Sequence, residues 1–282
     1  MSADAPRRFA SADGRRIAYD VAGDGPAVLC LPGLTRSMRD FEPIAAHLAS
    51  RHRVLRMDYR GRGGSDWAEA PCAEYTPMVE GGDAALLLAH LGIARTAILG
   101  TSRGGLIGMG LAAKAPAMVS CLILNDVGPV IEPAGIEAIL GYLGRDPGFP
   151  DFDAAAAGLH RAHAASFPDL DRAAWLAQAR RIFRDEGGRP ALDYDPRLRE
   201  AVEAALAAGP ADLWPLFDEI EVPILVLRGA NSEVLSPATL AQMQARKPGL
   251  VAVTVPDRGH VPFLDEPVAL AAIDTFLAEH AA

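Results

Sequence analysis

The run Gly100-Thr101-Ser102-Arg103-Gly104 holds a serine between two glycines, each two residues away. Apolar Ala97-Ile98-Leu99 leads into it and a small-residue stretch over 105–113 follows it. That is the pattern of strand, sharp turn and helix, with a hydroxyl raised at the apex of the turn. The glycines have a mechanical reason, because a Cβ at either place would collide with neighbouring backbone. A free serine hydroxyl is a poor nucleophile and needs a base. Seven histidines are available. His260 follows the apolar run ending at Val255 and lies in a Gly-flanked loop before the last helical stretch. Loops at the strand ends are where a parallel α/β sheet places its ligands. His47, His52, His90 and His280 sit in or beside helical stretches remote from those ends, and His160 and His163 are candidates for a pocket wall, with a surface position preferred.

The elements that position these groups alternate between two periodicities. Strand character marks 16–21, 26–31, 53–57, 97–99 and 119–124, and helical character marks 39–50, 80–91 and the stretch after Ser102. Continuous apolar runs separated by helices indicate a mostly parallel, twisted sheet covered by helices on both faces. From 128 to 219 no strand is expected. Helical pieces around 136–143, 154–165, 172–184 and 197–208 are broken repeatedly by Gly, Pro and Asp. Strands return at 222–227 and 250–255, each followed by a helix. The expected organisation is therefore an α/β core over 1–127 and 220–282, interrupted by a helical insertion over 128–219, a block of domain scale.

Composition narrows the class. Half of the 282 residues are apolar, enough for a large core, and the net charge is −9. No basic stripe is present, so no nucleic-acid partner is expected. No apolar run approaches membrane-spanning length, and the first residues lack the apolar segment of a signal peptide. A cytoplasmic protein without a membrane partner is expected. Three cysteines at irregular spacing, Cys30, Cys72 and Cys121, form no disulfide frame and no metal set, and read as reduced thiols.

Four motifs in order resemble the α/β-hydrolase superfamily over nearly the whole chain, in its small, capped serine-esterase form. Leu31-Pro32-Gly33-Leu34 is similar to the loop that supplies half of the oxyanion hole, with Pro-Gly where many members have His-Gly. Asp58-Tyr59-Arg60-Gly61-Arg62-Gly63-Gly64-Ser65 resembles the DxxGxGxS turn. Gly100–Gly104 looks like the nucleophile elbow, and Arg258-Gly259-His260 like the turn presenting the catalytic histidine. The resemblance implies an α/β-hydrolase fold with a helical cap after the strand ending at Asn125. Ser102 would be the nucleophile and His260 the base, with the backbone amides of Leu34 and Arg103 as the oxyanion hole. Losing one such donor costs ~3 kcal/mol of barrier. The Arg103 side chain itself is expected to turn away into an ion pair.

The third member must be a carboxylate that holds the histidine tautomer. The usual family place is the loop after the penultimate strand. There Gly229-Ala230-Asn231-Ser232-Glu233 has serine where aspartate is expected, and Glu233 falls one position late. Some family esterases carry the aspartate after the strand following the elbow helix, together with serine in the later loop, and Asn125-Asp126-Val127 resembles them. Asp126 is preferred and Glu233 remains the alternative. Asp58 reads as structural, bonding backbone amides of its tight loop, and Asp66 as solvated. Arg36 and Arg60 lie near strand ends within reach of a substrate carboxylate, although loop arginines are usually solvated. Tyr142, Phe152, Phe167, Trp175, Phe183, Tyr194 and Trp214 of the insertion are candidates for the pocket or for the insertion's own core. The expected activity is hydrolysis of a small carboxylic ester, thioester or lactone through an acyl-enzyme, with no cofactor and no metal, in a monomer or homodimer. A triad-bearing ligand receptor or regulator, a carbon–carbon hydrolase and a perhydrolase are the alternatives.

Overall fold

The computed structural model describes residues 6–209 and 211–281. Ten strands occur among them: β1 (Arg7–Ala10), β2 (Arg16–Ala22), β3 (Ala27–Leu31), β4 (Arg53–Met57), β5 (Thr96–Thr101), β6 (Val119–Asn125), β7 (Phe183–Glu186), β8 (Arg189–Leu192), β9 (Ile224–Gly229) and β10 (Val251–Val255). Eight form one sheet in the order β1-β2-β4-β3-β5-β6-β9-β10. The β1–β2 and β2–β4 pairings are antiparallel. The remaining pairings are parallel.

Alternate residues of the central strands enter two separate cores. Leu29 and Leu31 of β3, Ile98 of β5, Leu122 and Leu124 of β6 and Val226 of β9 join one. Val28, Cys30, Leu99, Cys121, Ile123 and Leu225 join the other. The period-two alternation of a strand thus buries both faces, which is why these segments read as unbroken apolar runs. Helices Pro77–His90, Arg103–Lys114 and Pro237–Arg246 cover the first face. Glu42–Leu48 and Pro267–His280 cover the second. Cys30 and Cys121 are free and buried in this sheet, and Cys72 is free and exposed.

Between β6 and β9 lie the helices Pro133–Tyr142, Phe152–His163, Arg172–Ile182, Leu198–Ala207 and Trp214–Asp218. The strands β7 and β8 also lie here, where none was expected. They pair through Gly187-Gly188, both at positive φ, the backbone that a tight two-residue hairpin turn requires. The Gly-Gly pair was the available signal. It was masked because β7 exposes three of its four residues and so shows no alternation. The helix expected over 172–184 accordingly ends at Ile182. β1 was missed for a similar reason: of its four residues only Phe9 is buried. The segment has its own apolar cluster around Phe152, Phe167, Trp175 and Phe183, whereas Phe217 joins the sheet core. Polar contacts tie it to the core loops. Arg39 donates to the carbonyls of Arg180 and Phe183 and pairs with Asp193. The Tyr75 hydroxyl donates to Asp195. Arg258 pairs with Asp169.

Two glycines of the helix Arg103–Lys114 test how closely it is held. A Cβ on Gly104 would stand 1.9 Å from the Leu31 carbonyl oxygen, whereas one on Gly110 would meet nothing within 4 Å. Gly104→Ala is expected to lower the unfolding free energy by roughly 3 kcal/mol or more. Gly110→Ala should raise it by about 0.5–1 kcal/mol. Urea denaturation of both variants checks the contrast, and equal effects would refute the close approach.

Candidate active site

Ser102 stands between the end of β5 and the first turn of the helix Arg103–Lys114, at φ 50° and ψ −114°. A non-glycine residue at positive φ carries strain of order 1–3 kcal/mol and persists only where its surroundings hold it. Here the Ser102 N–H donates to the Asn125 carbonyl, and the Ser102 carbonyl accepts from the N–H groups of Gly105 and Leu106. The flanking glycines make this possible. A Cβ on Gly100 would lie 2.4 Å from the Gly104 carbonyl oxygen, so helix and strand could not meet at this angle with side chains between them.

The Ser102 hydroxyl lies 2.9 Å from His260 Nε2. His260 Nδ1 lies 2.7 Å from Asp126 Oδ2. An ionised carboxylate can only accept, so Nδ1 carries the proton and the Nε2 lone pair faces the serine hydroxyl. Asp126 is fully buried just past β6. It is charge-compensated by three donors: the Gly229 N–H to Oδ1 at 2.8 Å, the Ser232 hydroxyl to Oδ2 at 2.6 Å, and His260. The structure therefore brings Ser102, His260 and Asp126 together. Glu233 is exposed on the cleft wall and makes no side-chain hydrogen bond among the described residues. Ser232, which looked like a missing aspartate, donates to the aspartate that stands on the neighbouring strand.

The loop carrying His260 is fastened on both sides. Asn231 and Ala230 donate backbone N–H bonds to Arg258 and Val255. Asn125 Nδ2 donates to the Pro262 carbonyl. Glu266 pairs with Arg258 and accepts from the N–H groups of Phe263 and Leu264. Glu266 was not singled out in the sequence, and the contacts of Asn231, Ala230 and Asn125 join segments far apart along the chain.

The backbone amides of Leu34 and Arg103 face no protein acceptor among the described residues. Both residues are tied to one buried cluster. Arg62 donates through Nε to the Leu34 carbonyl at 2.9 Å and pairs with Glu80 at 2.8 Å. Glu80 also pairs with Arg103 at 2.7 Å, and Arg103 donates to the Tyr75 carbonyl. Glu80 and Arg62 are both fully buried. The Arg103 side chain thus turns away from Ser102 into an ion pair.

The other singled-out residues are distributed as follows. Asp58 accepts from the N–H groups of Met38 and Gly64, and burial pushes its carboxyl up to about 6. Asp66 is not free in solvent but pairs with Arg16. Arg60 is buried against Asp83 and Glu74, away from the cleft. Arg36 lines the cleft and pairs with Asp40. His163, for which a surface position was preferred, is exposed and also borders the cleft. Tyr142, Phe167, Trp175, Phe183 and Tyr194 line it too, whereas Phe152 packs inside the insertion and Trp214 meets Phe217 edge to face. Among the described residues no cluster of three or more His, Cys, Asp or Glu is placed to hold a metal, and no helix is long and apolar enough to cross a membrane.

Comparison with known proteins agrees with this geometry. The family model described as alpha/beta hydrolase fold matches residues 26–267. The chain is 39% identical to the 3-hydroxybutyrate-oligomer hydrolase of Cupriavidus necator, over 93% of this chain and 92% of that one. It is 30% identical to the 2-(acetamidomethylene)succinate hydrolase of Mesorhizobium japonicum, over 90% and 89%. The crystal structure of an alpha/beta hydrolase from Novosphingobium aromaticivorans superposes with a TM-score of 0.92 at 45% identity, covering 99% of each chain. With the parallel sheet, the strained serine turn and the strand-end histidine in place, the chain belongs to the alpha/beta hydrolase family.

Proposed function

We propose that this protein is a serine hydrolase that cleaves a small carboxylic ester, thioester or lactone through an acyl-enzyme. The hydrogen-bonded chain from Ser102 through His260 to the buried Asp126 carries the reading. As the Ser102 oxygen bonds to the carbonyl carbon, its proton passes to His260 Nε2 and the carbonyl π pair moves onto oxygen. The resulting oxyanion is held by the free amides of Leu34 and Arg103, donors fixed before the reaction begins. Collapse of the tetrahedral species breaks the bond to the leaving oxygen or sulfur, which takes the proton from His260. Water then adds to the acyl carbon as His260 removes its proton. The acyl–serine bond breaks and the proton returns to Ser102, so that ester and water become acid and alcohol. Asp126 stays ionised throughout and stabilises the imidazolium. The insertion over 128–219 acts as a cap that excludes water from the cleft. Relatives named as hydrolases of 3-hydroxybutyrate oligomers and of 2-(acetamidomethylene)succinate support a small-molecule substrate.

Ser102→Ala is expected to cut kcat for p-nitrophenyl butyrate by about 10⁴-fold or more with little change in Tm. Wild-type turnover in that variant would end the reading. The two carboxylates separate in a second comparison. Asp126→Asn should lower kcat by ~10⁴, because an amide imposes the wrong tautomer on His260. It should also cost about 1–3 kcal/mol of stability, since one buried donor then faces an amide NH₂. Glu233→Gln should leave both near wild type. With folding verified by circular dichroism, a crippled Glu233→Gln beside an active Asp126→Asn would reassign the carboxylate.

A further inference from the structure

The space around Ser102 is divided, and Ser102 and Leu34 border both parts. The first chamber, about 410 Å³, is walled by Leu106, Ile131, Ile136, Ile139, Val202 and Leu206. Its few polar neighbours are already committed: Arg103 to Glu80, Tyr75 to Asp195, and Thr76 to capping the helix Pro77–His90. The second chamber, about 510 Å³, is bordered by His260 and has a different character. Arg145 and Arg181 on its walls have no carboxylate within 4.0 Å among the described residues, whereas Glu233 is its one unpaired carboxylate. Trp175, 4% exposed on the same wall, has an indole N–H with no acceptor. Asn125 Oδ1 is likewise buried without a donor among the described residues, but among charged groups two unpaired guanidiniums face one unpaired carboxylate there.

The tetrahedral carbon at Ser102 has four substituents whose directions the protein distinguishes. One is the serine oxygen. The oxyanion lies toward the Leu34 and Arg103 amides. The leaving oxygen must come within about 3 Å of His260 Nε2 to be protonated. His260 borders the second chamber and not the first. The remaining substituent, the acyl chain, is left the apolar side. We propose that the two chambers divide the substrate: the apolar chamber takes an aliphatic acyl tail, the arginine-bearing chamber takes the leaving alcohol, and that alcohol is a hydroxy-carboxylate. The proposal rests on the serine-hydrolase reading and names its substrate class. The overall reaction is an acyl ester of a hydroxy acid plus water giving a fatty acid and the free hydroxy acid. Arg145, Arg181 and the Trp175 N–H receive the carboxylate of the departing half.

The chain supplies its own probe for the first chamber. Cys72 is exposed at its wall. Cys30 and Cys121 are buried, with thiols pushed by burial up to about 12 and about 11, so they stay protonated and closed to reagents. A bulky maleimide should add one equivalent by mass. It should then lower the ratio of kcat/KM for p-nitrophenyl hexanoate over acetate by at least ~10-fold. In Cys72→Ser the reagent should leave that ratio unchanged, and Ala205→Trp, on the exposed rim, should reproduce the fall without reagent. A ratio unmoved in both cases, or equal loss of both esters, overturns the assignment of the acyl chamber. For the second chamber, the butyrate ester of glycolic acid is compared with that of methyl glycolate at pH 7. The free acid should be preferred by at least ~10-fold, and the Arg145→Ala, Arg181→Ala double variant should lose the preference. Equal turnover by the unmodified protein, or a preference surviving in the double variant, overturns the hydroxy-carboxylate. Ser102→Ala is assayed alongside. Turnover that survives it sinks the hydrolase reading and this proposal together, whereas Ser102-dependent turnover with unmoved ratios sinks the chambers alone.

Discussion

One buried carboxylate joins the strand ends from which this cleft is built. Asp126 is fully buried past β6, accepts from the Gly229 amide at the end of β9 and from Ser232 beyond it, and receives His260 from the loop after β10. A charge removed from water is tolerated only when its lone pairs are taken up. Three donors meet that demand, two from the turn that ends β9 and one from the loop after β10. The carboxylate therefore sets the spacing of three loops at once, and the imidazole of His260 is held in one tautomer and one orientation as a by-product of satisfying it.

On the other side of Ser102 a second buried group does corresponding work. Glu80 lies between Arg62 and Arg103, and Arg62 also reaches the Leu34 carbonyl. The two backbone segments with free amides are thus referred to a single anchor on the helix Pro77–His90. Backbone donors cannot be aimed by rotamer choice. They are aimed by what holds the peptide, which here is an ion-pair cluster with almost no solvent access, where electrostatic interactions are screened least. The glycine contact between the helix Arg103–Lys114 and Leu31 completes the clamp by excluding any side chain from that seam.

The insertion meets the core through ion pairs at the rim of the cleft, such as Arg39 with Asp193 and Arg258 with Asp169, and through apolar contacts, with Leu143 and Leu198 clustered with Ala68 and Tyr75 and with Phe167 stacked on Phe263. Ser102 borders two chambers, one walled almost wholly by apolar side chains and one that also carries Arg145 and Arg181. An enclosed site with two linings can sort the two halves of a substrate by polarity, because an unmatched polar group on the apolar side would lose its hydrogen bonds with water.

The sequence by itself determined seven of the eight sheet strands, the helices that flank them, the serine turn and the strand-end histidine. These are local matters: periodicity reports which faces are covered, and glycines report where backbone must approach backbone. It also narrowed the third group to Asp126 or Glu233, since both lie at strand ends. Tertiary structure decided between them in position, bringing Asp126 against His260 and leaving Glu233 on the wall, because adjacency in a parallel sheet depends on strand order rather than on distance along the chain. The hairpin β7–β8 escaped notice because its strands are mostly exposed and carry no alternation. That Arg103 turns away into an ion pair was legible, but its partners Glu80 and Arg62 were not, because they come from separate elements and their charges look solvated until the fold removes the water between them.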